Sequence, residues 1–144
     1  MKKYFAYGSN LSVRQMQLRC PGHQRVGVGV LRGHRWIISS HGYANVVPSP
    51  PDAVWGVVYD LTEADEQALD RYEGVADGLY RKETLPVEIN GASLPCLVYV
   101  DPVQEEGKPW PEYVVRINQG LADAELPQAY VQHYIRPFVP VTAC

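Results

Sequence analysis

The sequence is poor in several features that mark particular classes of protein. Its 144 residues include three cysteines and no Cys-x-x-Cys pair, which suits a reduced protein better than a disulfide scaffold. Its 13 basic and 16 acidic residues form no block of one sign, so neither nucleic acid nor an anionic membrane is the expected partner. No apolar run is long enough for a signal peptide or a membrane span. We therefore expect a cytoplasmic protein that binds a small molecule. The sequence does not determine whether the protein forms a homodimer.

Common active-site motifs are missing as well. Without Gly-x-Gly-x-x-Gly after a strand, a doubly wound dinucleotide-binding sheet is disfavoured. The four histidines lack the spacing of His-Glu-x-x-His and have no cysteine partner, so we predict no metal site and no cofactor. Gly-x-Ser-x-Gly is absent, and Cys20 and Cys96 lie in apolar contexts typical of inert buried thiols. A serine or cysteine nucleophile is therefore not expected.

What is present indicates one α+β domain over residues 1–144, since 46% of the residues are hydrophobic and 20% charged. Short apolar segments punctuated by Gly and Pro predict strands at residues 2–6, 26–31, 34–39, 43–47 and 53–59. Asn90-Gly91 predicts a hairpin turn between strands 80–89 and 92–100. Helices are predicted at residues 12–19, 62–74, 109–120 and 127–134.

This order of elements favours a mixed, largely antiparallel sheet that curls into a small barrel, with the helices packed outside. The segment Ser49-Pro50-Pro51-Asp52 is interpreted as a turn between two strands. There is no internal repeat and no low-complexity segment.

Near the N-terminus an apolar run stops abruptly in a glycine turn, Tyr4-Phe5-Ala6-Tyr7-Gly8-Ser9-Asn10-Leu11. The turn lies between a predicted strand end and a predicted helix start, where unpaired N–H groups and the helix dipole favour negative charge. We predict that the amides of Gly8, Ser9 and Asn10 bind an anion or a carbonyl oxygen. An ordinary strand-to-helix connection would use the same residues, with Gly8 for its backbone freedom and Asn10 or Ser12 as the helix cap.

A second segment, Leu69-Asp70-Arg71-Tyr72-Glu73-Gly74-Val75, places Glu73 in the last turn of the helix that begins near Thr62. A carboxylate at this end faces the negative pole of the helix dipole, which raises its pKa. A glutamate in such a position is most often a solvated surface residue. Together with the glycine turn, however, it supplies the donors and the acid that an acyl transfer requires.

These segments resemble the gamma-glutamylcyclotransferase family in their order and spacing. The resemblance rests on Phe5-Ala6-Tyr7-Gly8-Ser9-Asn10-Leu11, on Pro48-Ser49-Pro50 with Val54-Trp55-Gly56-Val57-Val58-Tyr59, and on Leu69 to Val75 continuing to Tyr80. It implies a barrel-containing fold in which Glu73 is the general acid and base. It also implies that the following residues lie near the substrate: Tyr7, Gly8, Ser9, Asn10, Leu11, Tyr80 and Tyr130.

The implied reaction is the attack of a substrate α-amine on its own γ-carbonyl, which gives 5-oxoproline and a free amine or amino acid. This reaction requires a base that takes a proton from the substrate ammonium and hydrogen-bond donors that stabilise the oxyanion. Glu73 would meet the first, and the turn amides would bind either the oxyanion or the substrate carboxylate. The sequence does not determine whether the leaving group is an amino acid, an amine or a carrier-linked intermediate. It also does not determine whether glutathione is a substrate. A non-catalytic module that binds an acidic metabolite is the alternative from another class.

Overall fold

The computed structural model describes residues 1–141, and its five strands close into a barrel. The strands are β1 (Lys2–Ala6), β2 (Gln24–Ile38), β3 (Ala44–Leu61), β4 (Arg81–Ile89) and β5 (Ala92–Val100). Around the barrel they follow the order β1, β3, β2, β4, β5. Only the pairing of β1 with β5 is parallel among these neighbours, and the others are antiparallel. The predicted mixed barrel with outer helices is thus confirmed.

The predicted four strands between residues 26 and 59 form two long strands instead. β2 continues through Gly33, and β3 continues through the Ser49–Asp52 segment that the sequence analysis interpreted as a turn. Arg32 pairs with Ala53 and His34 pairs with Pro48, so one residue of β2 faces four of β3. The turn prediction is wrong because prolines and a positive φ at Gly33 (77°) are accommodated in a bulge of a bent strand pair.

The hairpin of β4 and β5 is confirmed. Both turn residues have positive φ, 51° at Asn90 and 79° at Gly91. These values fit a two-residue turn whose twist matches that of the flanking strands.

The helices are α1 (Val13–Arg19), α2 (Glu63–Tyr72), α3 (Pro111–Ala124) and the short α4 (Gln128–Tyr130), which continues into a π-helical turn at Val131–Ile135. Short 3-10 turns lie at Ser9–Leu11 and Val75–Asp77. The final helix therefore changes its hydrogen-bond pattern after one turn, which the sequence pattern did not predict. Among residues 1–141, no helix is long and apolar enough to cross a membrane.

The core combines inward side chains of the strands with one face of each long helix. Met16 of α1, Leu69 of α2 and Ile117 of α3 are fully buried, and each such side chain contributes about 1.5–3 kcal/mol. Trp36 of β2 is also fully buried, and its indole N–H donates a 2.8 Å bond to the Tyr7 carbonyl. Cys20 and Cys96 are buried and free, as predicted, whereas Cys144 lies outside the described residues.

Candidate active site

A cavity of about 480 Å³ lies where the loop after β1 meets the ends of the helices. What we call the inner wall comes from β1, β5, α1, the loop after β1, the end of α2 and the segment after it. What we call the outer wall comes from the β2–β3 loop, the start of β3, the residue before α3 and the first half of α3. The inner wall contains Tyr4, Tyr7, Gly8, Ser9, Asn10, Arg19, Tyr72, Glu73, Leu79, Tyr80 and Tyr99. The outer wall contains His41, Tyr43, Ala44, Trp110, Tyr113 and Arg116. The glycine turn and Glu73, which are far apart in sequence, thus line one cavity.

The loop after β1 is a tight 3-10 turn in which the Leu11 N–H donates to the Gly8 carbonyl at 3.0 Å. A side chain at Gly8 would bring its Cβ within 3.0 Å of the Tyr113 hydroxyl and 3.1 Å of the Ala44 Cβ, so the loop packs closely against the outer wall. Within residues 1–141, the N–H groups of Gly8 and Asn10 donate no hydrogen bond to a protein acceptor. These two amides are therefore available to a ligand.

Asn10 uses its side chain to hold the inner wall together. Its amide nitrogen donates to the Tyr4 hydroxyl at 2.9 Å, and its oxygen accepts bonds from Gln15 at 3.0 Å and Arg19 at 3.2 Å. Its backbone carbonyl accepts a 3.2 Å bond from the Tyr59 hydroxyl. Because Asn10 is buried, this network fixes the loop relative to α1 and to the barrel.

Local sequence explains why α2 ends at Glu73. Thr62 and Asp65 form a capping box at the start of α2, and buried Leu69 anchors the helix on the core. Glu73 is the C-cap, and its N–H donates to the Leu69 carbonyl at 2.8 Å. Gly74 follows with φ 63°, a left-handed conformation that ends helices and favours glycine. The predicted position of Glu73 at the helix end is thus correct to within one residue.

Burial raises the pKa of Glu73 from its ordinary 4.5 to about 7, and the nearby Arg19 cation opposes this rise. Among the described residues, the Glu73 carboxylate has no hydrogen-bond or ion-pair partner at contact distance. Burial is the main cause of the raised pKa values of Tyr4, Tyr7 and Tyr80, and the negative charge of Glu73, which lines the same cavity, adds to each rise. The carboxyl group can therefore exist in both protonation states near neutral pH.

Three cavity tyrosines bind the protein backbone with their hydroxyls. Tyr7 donates to the Tyr99 carbonyl at 2.5 Å and Tyr80 donates to the Ala44 carbonyl at 2.7 Å. The Tyr113 hydroxyl accepts a 3.2 Å bond from the Ala44 N–H and lies beside Ser9. A tyrosine hydroxyl that donates to the backbone still has lone pairs to accept a bond from a ligand.

The outer wall was not identified from the sequence. Trp110, Tyr113 and Arg116 follow one another at intervals of three residues, so they share one face of α3. Tyr43 of the β2–β3 loop packs edge-on against Tyr113, with ring centres 5.1 Å apart. The three-residue spacing could have revealed a helix face rich in aromatic and cationic groups, but nothing in the sequence showed that it faces Glu73.

Two of the residues implied by the family resemblance do not line the cavity. Leu11 is buried beneath the loop, at 1% exposure. Tyr130 lies on α4, where its ring packs against Tyr134, and its buried hydroxyl lies near the Trp55 backbone without a hydrogen bond inside residues 1–141. Tyr130 therefore lies outside this cavity, and its contact with the substrate stays a prediction of the family resemblance.

No group of three or more His, Cys, Asp or Glu side chains in the described part of the chain is arranged to hold a metal ion. The absence of a cofactor stays a prediction.

Comparison with known proteins gives the family. The model of the AIG2-like family matches residues 53–134. Gamma-glutamylcyclotransferase from Mus musculus is 33% identical over 141 residues, covering 88% of this chain and 73% of the relative, and that from Homo sapiens is 31% identical with the same coverage. A solved gamma-glutamyl cyclotransferase superposes with a TM-score of 0.83 at 30% identity, covering 91% of this chain and 84% of the other. The chain belongs to the AIG2-like, gamma-glutamylcyclotransferase family.

Proposed function

We propose that the chain is a gamma-glutamyl cyclotransferase. The α-amine of a gamma-glutamyl compound attacks its own γ-carbonyl, a ring C–N bond forms, and the C–N bond to the leaving amine breaks. The products are 5-oxoproline and a free amine or amino acid. The observation that carries this proposal is the half-buried Glu73 carboxyl, which has no partner among the described residues and lines the same cavity as the glycine turn.

Glu73 acts first as base and then as acid. Its carboxylate takes a proton from the substrate ammonium, which frees the amine to attack. The carboxylic acid then returns a proton to the leaving nitrogen. A pKa of about 7 suits both steps, since a group that exchanges protons efficiently has a pKa near the working pH.

The loop after β1 supplies the donors. The free N–H groups of Gly8 and Asn10 bind either the oxyanion of the tetrahedral intermediate or the substrate carboxylate. Arg19, held by Asn10 at the same end of the cavity, adds a fixed positive charge. Tyr7 and Tyr80 orient the substrate through the free lone pairs of their hydroxyls.

The substrate carries its own nucleophile, so the route includes no covalent enzyme intermediate. Intramolecular attack reaches effective molarities of about 10⁵ M or more when the reacting atoms are well oriented. Holding the gamma-glutamyl chain in a folded conformation is therefore a large part of the catalysis. The aromatic side chains that line the cavity support this role.

The test is 5-oxoproline release from gamma-glutamyl dipeptides, glutathione and gamma-glutamyl amines by the wild type and Glu73→Gln. Glu73→Gln keeps the side-chain shape but removes the exchangeable proton, so we expect a loss in kcat/KM of about 10² to 10⁴. Glu63→Gln, on the exposed first turn of the same helix, is the matched control. Circular dichroism and thermal unfolding confirm that both variants fold.

Retention of activity by Glu73→Gln would contradict the assigned role. No release from any compound, with binding equal in wild type and Glu73→Gln, would instead identify a binding module. The ranking of the compounds would identify the leaving group.

A further inference from the structure

Tyr99 of β5 joins the two parts of the site that carry the proposed chemistry. Its backbone carbonyl accepts the 2.5 Å bond from the hydroxyl of Tyr7, which directly follows β1. Its own hydroxyl donates a 2.7 Å bond to a carboxylate oxygen of Asp70 on α2. Tyr99 is 2% exposed and lines the cavity, yet the proposed reaction gives neither Tyr99 nor Asp70 a role.

Asp70 lies three residues before Glu73 at the end of α2. Residues at this spacing are neighbours on one face of a helix, so the contact with Tyr99 turns this face toward β5 and the cavity. Glu73 is the C-cap, and no later turn of α2 holds its side chain. Within residues 1–141, its carboxylate also has no hydrogen-bond or ion-pair partner. The orientation of Glu73 therefore depends on how the last turn of α2 is fixed.

The other partner of Asp70 is on the solvent side. The Lys82 ammonium lies 3.1 Å from the second carboxylate oxygen of Asp70 and also pairs with Glu66. The side chains of Lys82 and Asp70 are 29% and 31% exposed, and an ion pair in contact with water contributes little. A hydrogen bond from a buried hydroxyl to a carboxylate is stronger, because the acceptor is charged. Tyr99 is therefore the contact that holds this face of α2.

We propose that the hydrogen bond between Tyr99 and Asp70 holds Glu73 in place for both proton transfers, so that Tyr99 and Asp70 are positioning residues of the reaction. The proposal rests on the proposed function. The bond fixes the last turn of α2 against β5. The Tyr99 ring, which packs edge-on against Tyr4 with ring centres 5.7 Å apart, forms the wall beside this turn. Loss of the bond loosens the turn and lets water reach the Glu73 carboxyl.

The first test removes the bond from either side. Tyr99→Phe keeps the ring and removes the hydroxyl, and Asp70→Ala removes the acceptor. Each should lower kcat/KM for 5-oxoproline release by a factor of about 10 to 100, mainly through kcat, because small displacements of a reacting group cost rates of this size. Asp70→Asn keeps an oxygen that accepts the Tyr99 bond and should stay within about threefold of the wild type. The double variant should lose no more than either single variant, because both substitutions remove the same bond.

Lys82→Gln is the matched control. It removes the cationic partner of Asp70 and leaves the Tyr99 bond, so its kcat/KM should equal that of the wild type. Circular dichroism and thermal unfolding confirm that all variants fold.

The pH profile separates positioning from a purely structural role. Burial holds the pKa of Glu73 at about 7, so entry of water in Tyr99→Phe should move the ascending limb of kcat/KM to lower pH. Tyr99→Phe changes no charge. The other charged and titratable groups that face Glu73 also stay in place, and they include Arg19 of α1, Tyr4 of β1, Tyr7 of the loop after β1, Tyr80 of the segment after α2, His41 of the β2–β3 loop, and Tyr113 and Arg116 of α3.

Urea unfolding tests the contact without turnover. The free energy of unfolding of the wild type should fall relative to that of Glu73→Gln as pH rises toward the folded-state pKa of Glu73. This pH-dependent difference should be smaller when both proteins also carry Tyr99→Phe. A smaller difference together with no product from the wild type would contradict the proposed function and support the contact. An equal difference in both backgrounds, with product from the wild type, would contradict the contact alone.

The kinetic outcomes that would overturn the proposal are equally specific. One is wild-type kcat/KM in Tyr99→Phe or in Asp70→Ala. Another is a double variant whose loss equals the product of the two single losses, since the two residues would then act separately. A third is a loss of activity in Tyr99→Phe with an unmoved pH limb, which indicates a general loosening of the fold.

Discussion

The Arg19 guanidinium donates a 3.2 Å hydrogen bond to the Asn10 side-chain oxygen and lies over the Tyr72 ring, with Cζ 4.5 Å from the ring centre. Asn10 belongs to the loop after β1, and Tyr72 directly precedes Glu73. Arg19 thus links the proposed donor loop to the proposed acid and base. Its charge also lowers the pKa of Glu73 against the larger effect of burial.

This relationship predicts the pH dependence of the reaction. The ascending limb of kcat/KM against pH should have a midpoint near 7, because the base must be ionised in the free enzyme. Arg19→Gln removes the nearby cation and should move this midpoint to higher pH. The measurement is 5-oxoproline release between pH 5 and 9 with one gamma-glutamyl dipeptide.

Arg14→Gln removes a cation from the exposed face of the same helix and is the control for a general change in charge. Its profile should superpose on that of the wild type. A midpoint in Arg19→Gln at or below the wild-type value would show that the limb does not report Glu73.

The sequence analysis identified residues of the inner wall of the cavity but none of the outer wall, for a physical reason. Glu73 and the Gly8–Asn10 turn lie at element ends, where caps and positive φ angles leave a local signature. His41 and Arg116 reach the cavity only because the barrel closes and α3 packs across its end. That packing depends on contacts such as Gly120 against Leu11, which no local pattern encodes.

The strand boundaries show the same limit. The sequence analysis divided β2 and β3 at Gly33 and at Ser49–Asp52, because Gly and Pro usually end strands. The long pairing of β2 with β3 continues on both sides of these residues, so tertiary pairing overrides the local preference. The hairpin at Asn90-Gly91 was correct because its turn geometry is set by those two residues alone.

The raised pKa of Glu73 also predicts how stability depends on pH. A folded-state pKa of about 7 against an unfolded value near 4.5 means that the folded protein binds more protons between these values. The free energy of unfolding therefore falls as pH rises through this window, by about 3 kcal/mol from this residue. Glu73→Gln lacks this loss and should gain stability relative to wild type by that amount between pH 4 and pH 8.

Urea unfolding at several pH values measures the difference. Other titrating groups are common to both proteins and cancel in the comparison. A difference between Glu73→Gln and wild type that stays constant with pH would contradict the raised pKa.

Substitution of Tyr80 and of Tyr130 by phenylalanine should have different effects on stability and activity. Tyr80→Phe removes the 2.7 Å bond to the Ala44 carbonyl in the cavity wall. It should cost about 1–2 kcal/mol of stability and lower kcat/KM about tenfold, since the wall that faces Glu73 loosens. Tyr130→Phe removes a buried hydroxyl that has no partner among the described residues, so stability should stay equal or rise.

Steady-state kinetics and urea unfolding of both variants check these expectations. Because Tyr130 lies outside the cavity, Tyr130→Phe should keep kcat/KM within about twofold of the wild type. A large loss of activity there, with unchanged stability, would support the role that the family resemblance implies.

Gly74 and Gly78, in the segment after Glu73, allow two requirements for glycine to be tested separately. One is a left-handed backbone, and the other is the absence of a side chain. Both are left-handed, with φ 63° and 74°, but a Cβ at Gly74 would come within 2.7 Å of Leu79 while a Cβ at Gly78 would meet nothing within 4 Å. Gly78→Ala should therefore cost only the conformational strain, about 1–2 kcal/mol. Gly74→Ala should cost more and lower kcat/KM by more than tenfold, because relief of the clash moves the helix end that carries Glu73. Equal losses of stability and activity in the two variants, measured by urea unfolding and 5-oxoproline release, would show that contact with Leu79 does not position Glu73.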